Sequence, residues 1–131
     1  MQSVQFIKRL VQGYREIRLP IVHVIRLYHK DGSNVDLCRR KAIENGKQVV
    51  NPGSDGAELM DELKPSPNVR LNSSLLLSGK LQQVGSMEWI MLKPRWGVFY
   101  KTVLEEHHNL HVNTVVVCGC NFPNCPFFAT N

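Results

Sequence analysis

Ile21-Val22-His23-Val24-Ile25-Arg26-Leu27-Tyr28 is a short apolar run, β-branched early and polar only at His23 and Arg26. A run of this length without alternation suits a buried strand of a parallel sheet better than a half-exposed antiparallel one. Upstream, Val4, Ile7, Leu10, Val11, Tyr14 and Ile17 recur at helical spacing over residues 3–18, and Leu19-Pro20 ends that helix. Downstream, residues 29–56 are mostly loop, with turn chemistry at Asp31-Gly32-Ser33-Asn34 and Asn51-Pro52-Gly53-Ser54-Asp55-Gly56, and a short helix around Val35 to Ile43. Ala57 to Leu63 suits a helical turn, and Leu71 to Gln83 is open between helix and irregular cover. Glu88 to Leu92 is expected to be the next strand, Thr102 to Leu110 the next helix and Asn113 to Gly119 the last strand. Helix, strand, excursion, strand, helix, strand is the order of an α/β layer with a parallel sheet, because parallel strands need crossovers.

The chain has 131 residues, 43% hydrophobic and 21% charged, which describes one globular domain over residues 1–131 with material for a single core. No apolar stretch approaches the roughly 20 residues of a bilayer span, and Met1 to Lys8 has no apolar signal-peptide core. A cytoplasmic protein without a membrane partner is expected. Four cysteines, three of them crowded at Cys118, Cys120 and Cys125, do not resemble a secreted disulfide framework, so reduced thiols are expected. The net charge of +5 has as its longest basic run only Arg39-Arg40-Lys41, too short for a phosphate-tracking stripe, and no nucleic-acid partner is expected. A basic balance does fit a cleft that concentrates an anionic small-molecule substrate.

In α/β sheets, ligands sit at the carboxyl ends of the strands. Three loop starts coincide with that edge: Tyr28-His29-Lys30-Asp31, Lys93-Pro94-Arg95-Trp96 and the segment from Gly119 to Cys125. Lys93 beside Cys125 would lower a thiol pKa that otherwise lies near ~8.5, and Pro126 suits the first helical position, which puts Cys125 at a helix N-cap. The competing reading of Cys118, Cys120 and Cys125 with His107, His108 or His111 as a zinc cluster is weak, because Cys-x-Cys on a strand lacks the turn that structural zinc sites favour. Cys118 and Cys120 are expected to be small core residues, and Cys38 a partly buried helix residue. Arg95 has two readings, a pair with an acid such as Glu58 or a contact to an anionic substrate group.

The segments Leu92-Lys93-Pro94-Arg95-Trp96-Gly97-Val98-Phe99-Tyr100 and Val115-Val116-Val117-Cys118-Gly119 through Asn124-Cys125 resemble the lysine and cysteine signatures of the isochorismatase-like cysteine hydrolase family. Arg26-Leu27-Tyr28-His29, Asp31 to Leu37 and Pro52 to Leu59 resemble connecting segments of one of its branches. The resemblance implies a three-layer α/β/α fold with a mainly parallel, Rossmann-like sheet, and an Asp-Lys-Cys triad. Lys93 and Cys125 match two of its catalytic members. By the same resemblance the backbone N–H groups of Asn121 and Cys125 line the oxyanion hole, and Arg26, Tyr28, His29, Trp96 and Phe99 stand where substrate contacts are expected. Trp96 and Phe99 are equally readable as core aromatics.

Two departures are visible. The family's aspartate lies on a strand before the first helix, whereas this sequence opens with that helix and its first aspartate is Asp31. Only six residues follow Cys125, so the fold is expected to be incomplete relative to the family, with a gap between the strand of Ile21 and that of Asn113, and a homo-oligomer covering exposed edges. Asp31 is readable as a surrogate base or as a turn residue before Gly32. Certain amidases of the family hold a metal through an aspartate two residues before the histidine after this strand. Leu27 occupies that position ahead of His29, so no metal and no cofactor are implied. Two functions follow: a cysteine hydrolase acting on a small amide or related C–N or C–O bond, or a catalytically impaired homologue serving as an oligomerisation or binding module.

Overall fold

The computed structural model describes residues 2–29, 31, 33, 34, 37–46, 52–93 and 113–119. Helix α1 spans Gln2–Glu16 and buries Val4 and Val11, two turns apart on one face. It ends through paired bonds: the Leu19 N–H donates to the Tyr14 carbonyl at 3.0 Å and the Arg18 N–H to the Arg15 carbonyl at 3.2 Å. That pairing requires a left-handed residue between them, and Arg18 takes it at φ 57°. Pro20 then bars any continuation of the helix.

Strand β1, Ile21–Ile25, is shorter than the apolar run that contains it, although Leu27 and Tyr28 beyond its end are still buried. After the short helix α2, Leu37–Glu44, come a 3₁₀ turn at Asp55–Ala57 and the helix α3, Ser73–Leu77. Strands β2, Gln82–Gly85, and β3, Glu88–Leu92, follow. The expected helical turn over Ala57 to Leu63 is confined to the 3₁₀ turn at its start. The ambiguous stretch from Leu71 to Gln83 resolves into α3 and the start of β2, a strand that its glutamines conceal. Asn72 caps α3, its Oδ1 accepting from the Leu75 N–H at 3.2 Å. Gln82 ties the beginning of β2 to the same corner, accepting from the Asn72 N–H at 2.7 Å and donating to the Arg70 carbonyl at 2.8 Å.

The sheet order is β1-β3-β2, with β1 parallel to β3 and β2 antiparallel to it. The described residues thus hold one parallel and one antiparallel pair, since the two-residue turn between β2 and β3 can only return the chain antiparallel. The parallel register sets Ile21 opposite Glu88 and Ile25 opposite Leu92. Ile21, His23 and Ile25 thus share one face with Glu88, Ile90 and Leu92. Ile90 meets Leu27, Ala57 and Leu76 in the core on that face, and Leu59, Val69 and Leu71 pack around them.

Residues 113–119, expected as the last strand, join no strand of the sheet and are exposed, Val115 at 55% and Val116 at 53%. A run of valines records a preference for extended backbone, but a strand also needs a hydrogen-bonded neighbour. None of the described residues supplies one on the side of β1 away from β3. The helix expected over Thr102 to Leu110 lies outside the described residues.

One charged group sits on the buried face. Glu88, 4% exposed, accepts from Arg15 Nε at 2.8 Å and Arg15 Nη2 at 2.6 Å, and pairs with His23 Nε2 at 2.5 Å. Arg15 Nη2 also donates to the Leu63 carbonyl at 2.6 Å. Burial pushes the Glu88 carboxyl up, and the hydrogen bonds and charges of Arg15 and His23 more than reverse this, leaving it below its ordinary 4.5. Because the folded pKa is the lower one, this group's stabilisation is complete above 4.5 and is lost as pH falls through the depressed value. Glu88→Ala is expected to cost about 3 kcal/mol in urea unfolding at neutral pH, and the variant's unfolding midpoint should fall less steeply with acid than that of the parent. Arg18→Gly, which relieves the left-handed arginine, is expected to stabilise by about 0.5–1 kcal/mol in the same measurement.

Candidate functional site

The candidate site lies at the carboxyl edge of the β1–β3 pair. Parallel pairing sends both strands out at the same edge, and the Lys93 N–H donating to the Ile25 carbonyl at 3.0 Å carries the ladder one step past Leu92. Lys93 consequently emerges beside the chain that leaves β1 through Arg26, Leu27, Tyr28 and His29. Lys93 is 7% exposed and Tyr28 2%. Lysine is seldom buried to this degree, which sets Lys93 apart from an ordinary surface lysine.

Arg26 and Tyr28 are joined, Arg26 Nη1 donating to the Tyr28 hydroxyl at 2.9 Å. Two strand ends therefore bring a lysine, an arginine and a phenol to one edge, a set suited to an anionic or strongly polar group. His29, in contrast, is exposed, and its backbone rather than its ring is fixed: its N–H donates to Asn34 Oδ1 at 2.7 Å. Asn34 Nδ2 donates in turn to the Leu27 carbonyl at 2.9 Å. The asparagine thus replaces the missing ladder partner of the chain just past β1. Sequence reading passed over Asn34 as a turn residue; the signal was its side-chain amide, which can serve a backbone donor and acceptor together.

Asp31 is a turn residue, its Oδ1 accepting from the Ser33 N–H at 2.9 Å. The backbone and side-chain hydrogen bonds from Ser33 hold its carboxyl below the ordinary 3.8, making it a weaker proton acceptor than a free aspartate. Glu58, considered above as a partner for Arg95, accepts from the Leu71 N–H, its two oxygens at 3.2 and 3.4 Å. Leu27, where a metal-binding relative would carry an aspartate, is a core residue at 1% exposure. Among the described residues no group of three His, Cys, Asp or Glu side chains is placed to hold a metal ion. Cys118 corrects its expectation as a core residue: it is an exposed free thiol, because the segment carrying it lies outside the sheet. Enough protein still surrounds its sulfur for desolvation to push the thiol up, the opposite of an activated nucleophile.

Cys125, Asn121, Trp96, Phe99, Cys120 and Arg95 lie outside the described residues; of the other residues expected there, Arg26 and Tyr28 are in contact, the Lys93 backbone bonds to Ile25 just before Arg26, and His29 is exposed. The crystal structure of an isochorismatase family protein from Desulfovibrio vulgaris subsp. vulgaris str. Hildenborough superposes on 98% of this chain with a TM-score of 0.77 and 25% sequence identity. The chain has an isochorismatase-like fold. It spans 58% of the length of that protein. No protein-family model and no curated protein matches the sequence. Because the superposition covers 98% of the chain, helix α1 and the parallel β1–β3 pair fall within that one fold. Among the described residues no helix is long and apolar enough to cross a membrane.

Asn34→Ala removes the amide that holds both Leu27 and His29. A loss of about 1–2 kcal/mol is expected, together with faster hydrogen exchange at the His29 amide and unchanged exchange in β3.

Proposed function

We propose that this chain carries the lysine and cysteine of a hydrolase site acting on a small amide or related C–N or C–O bond. The observation that carries the reading is the buried Lys93 at the carboxyl end of β3, its backbone bonded to Ile25, the residue before the bonded Arg26 and Tyr28. In this reading the thiolate of Cys125 attacks the substrate carbonyl carbon, and the N–H groups of Asn121 and Cys125 receive the developing oxyanion. The C–N bond then breaks, the amine leaves with a proton, and water hydrolyses the thioester. Lys93 favours the thiolate over the thiol by its charge. Arg26, Tyr28 and His29, with Trp96 and Phe99, would meet a small polar or anionic substrate. No metal or cofactor enters this chemistry.

One observation favours a second reading, a homologue with impaired turnover that acts by binding. Asp31, the first aspartate of the sequence, is engaged with Ser33 in a turn, and its lowered pKa suits it poorly to taking a thiol proton. Alkylation by iodoacetamide at neutral pH separates the two, read by mass spectrometry at each cysteine. The hydrolase reading expects Cys125 to react about tenfold or more faster than Cys38, and Lys93→Met to slow Cys125 alone by a similar factor. Equal rates at Cys125 and Cys38 would leave the binding reading standing.

A further inference from the structure

Helix α1 carries a second apolar stripe that the fold of the single chain leaves uncovered. Phe6 is 60% exposed and Ile17 67% exposed, Leu10 is half-buried, and Gly13 is exposed. Ile17 continues the helical path, its N–H donating to the Gly13 carbonyl at 3.3 Å. At about 100° per residue, Phe6, Leu10, Gly13 and Ile17 fall within about 60° of one another, well away from the buried Val4 and Val11. Gly13 is disfavoured in a helix interior, and no close approach of the described residues calls for it: a Cβ built there meets no atom within 4 Å.

The geometry points to this stripe as the contact surface for a second copy of the chain, with two α1 helices packed antiparallel across Gly13. The stripe is complementary to itself. The pair Phe6 and Ile17 and the pair Leu10 and Gly13 share one midpoint, between Val11 and Gln12. A two-fold axis through that midpoint sets Leu10 of each copy over the bare backbone at Gly13 of the other, and Phe6 over Ile17. This is the isologous arrangement that two-fold dimers require. A residue without a side chain at the crossing lets the axes approach more closely than the usual ~8–10 Å.

Charge fits the same axis. Arg9 and Glu16 flank the stripe on one side, both are exposed, and neither has an ion-pair partner among the described residues. Antiparallel packing brings the matching flanks of the two helices together, and there Arg9 of one copy and Glu16 of the other differ by only about 3 Å along the axis. Each dimer would hold two such pairs. A single helix pair is a small interface, so the association belongs to the weak, concentration-dependent class.

Sedimentation velocity on the full chain between about 5 and 500 μM is the test, because weak interfaces of this size dissociate on dilution. The expected result is a monomer–dimer equilibrium that Gly13→Lys weakens by about tenfold or more. Circular dichroism should show the variant as helical as the parent, since lysine favours helix and the site is open. Arg9→Glu and Glu16→Arg should each weaken the dimer alone, whereas the double variant, or an equimolar mixture of the two single variants, should restore it. A parent chain that stays monomeric across the range would overturn the proposal. So would a dimer indifferent to Gly13→Lys, or a double variant no tighter than either single one.

Discussion

The carboxylate of Glu88 is the point through which the local architecture is tied. Four pieces of chain meet there: the last turn of α1 through Arg15, β1 through His23, β3 through Glu88 itself, and the Leu63 carbonyl through the second contact of Arg15. Removing a carboxylate from water is costly, and three charge-assisted contacts to its two oxygens offset that cost. The apolar cluster of Leu27, Ala57, Leu76 and Ile90 contributes most of the hydrophobic driving force, but apolar contact is non-directional. The ionic cluster is directional and so helps distinguish one placement of α1 along the sheet from the next. It also favours the register in which Ile21 faces Glu88, since a one-residue slip would carry His23 to the other face.

The candidate site depends on the same strand at its other end. β3 begins at Glu88 and Lys93 directly follows its last residue, so the strand links the anchoring cluster to the lysine of the site. Because β1 runs parallel to β3, the chain leaving β1 arrives where Lys93 emerges. An antiparallel neighbour would have brought its loop to the Glu88 end instead. The antiparallel strand β2 pairs with the far side of β3, its first residue Gln82 opposite Ile90 and its last, Gly85, opposite Glu88.

Sequence pattern revealed the elements whose neighbours are local. α1 was legible from its apolar spacing, and β3 within its observed bounds because Glu88 to Leu92 lies between a turn and Lys93-Pro94. β2 was hidden because Gln82 and Gln83 carry no strand preference; they pair with β3 through backbone, and Gln82 also serves the Asn72 corner. Residues 113–119 failed in the opposite sense, being rich in valine but without a ladder. At the site, Lys93 was legible through its position after a strand, and Tyr28 through the apolar run that buries it. Asn34 was not, since its role depends on two backbone groups that only the folded turn brings within reach. The Arg15–His23–Glu88 cluster joins residues up to 73 apart in sequence, and no local pattern announces such a contact.

The separation of the anchoring cluster from the candidate site along β3 also separates their chemistry in pH. Glu88 titrates below its ordinary 4.5, so above that value its carboxylate holds its charge. Thiol chemistry belongs to a higher range, near ~8.5 for an unperturbed cysteine and lower beside a cation. Between the two ranges the Glu88 carboxylate stays ionised, so a change in cysteine reactivity with pH there does not report on protonation of that carboxylate. Asp31 does not disturb that window, because Ser33 keeps its carboxyl below the ordinary aspartate value as well. The fold thus places its acid-sensitive anchor at one end of the central strand and its candidate reactive edge at the other.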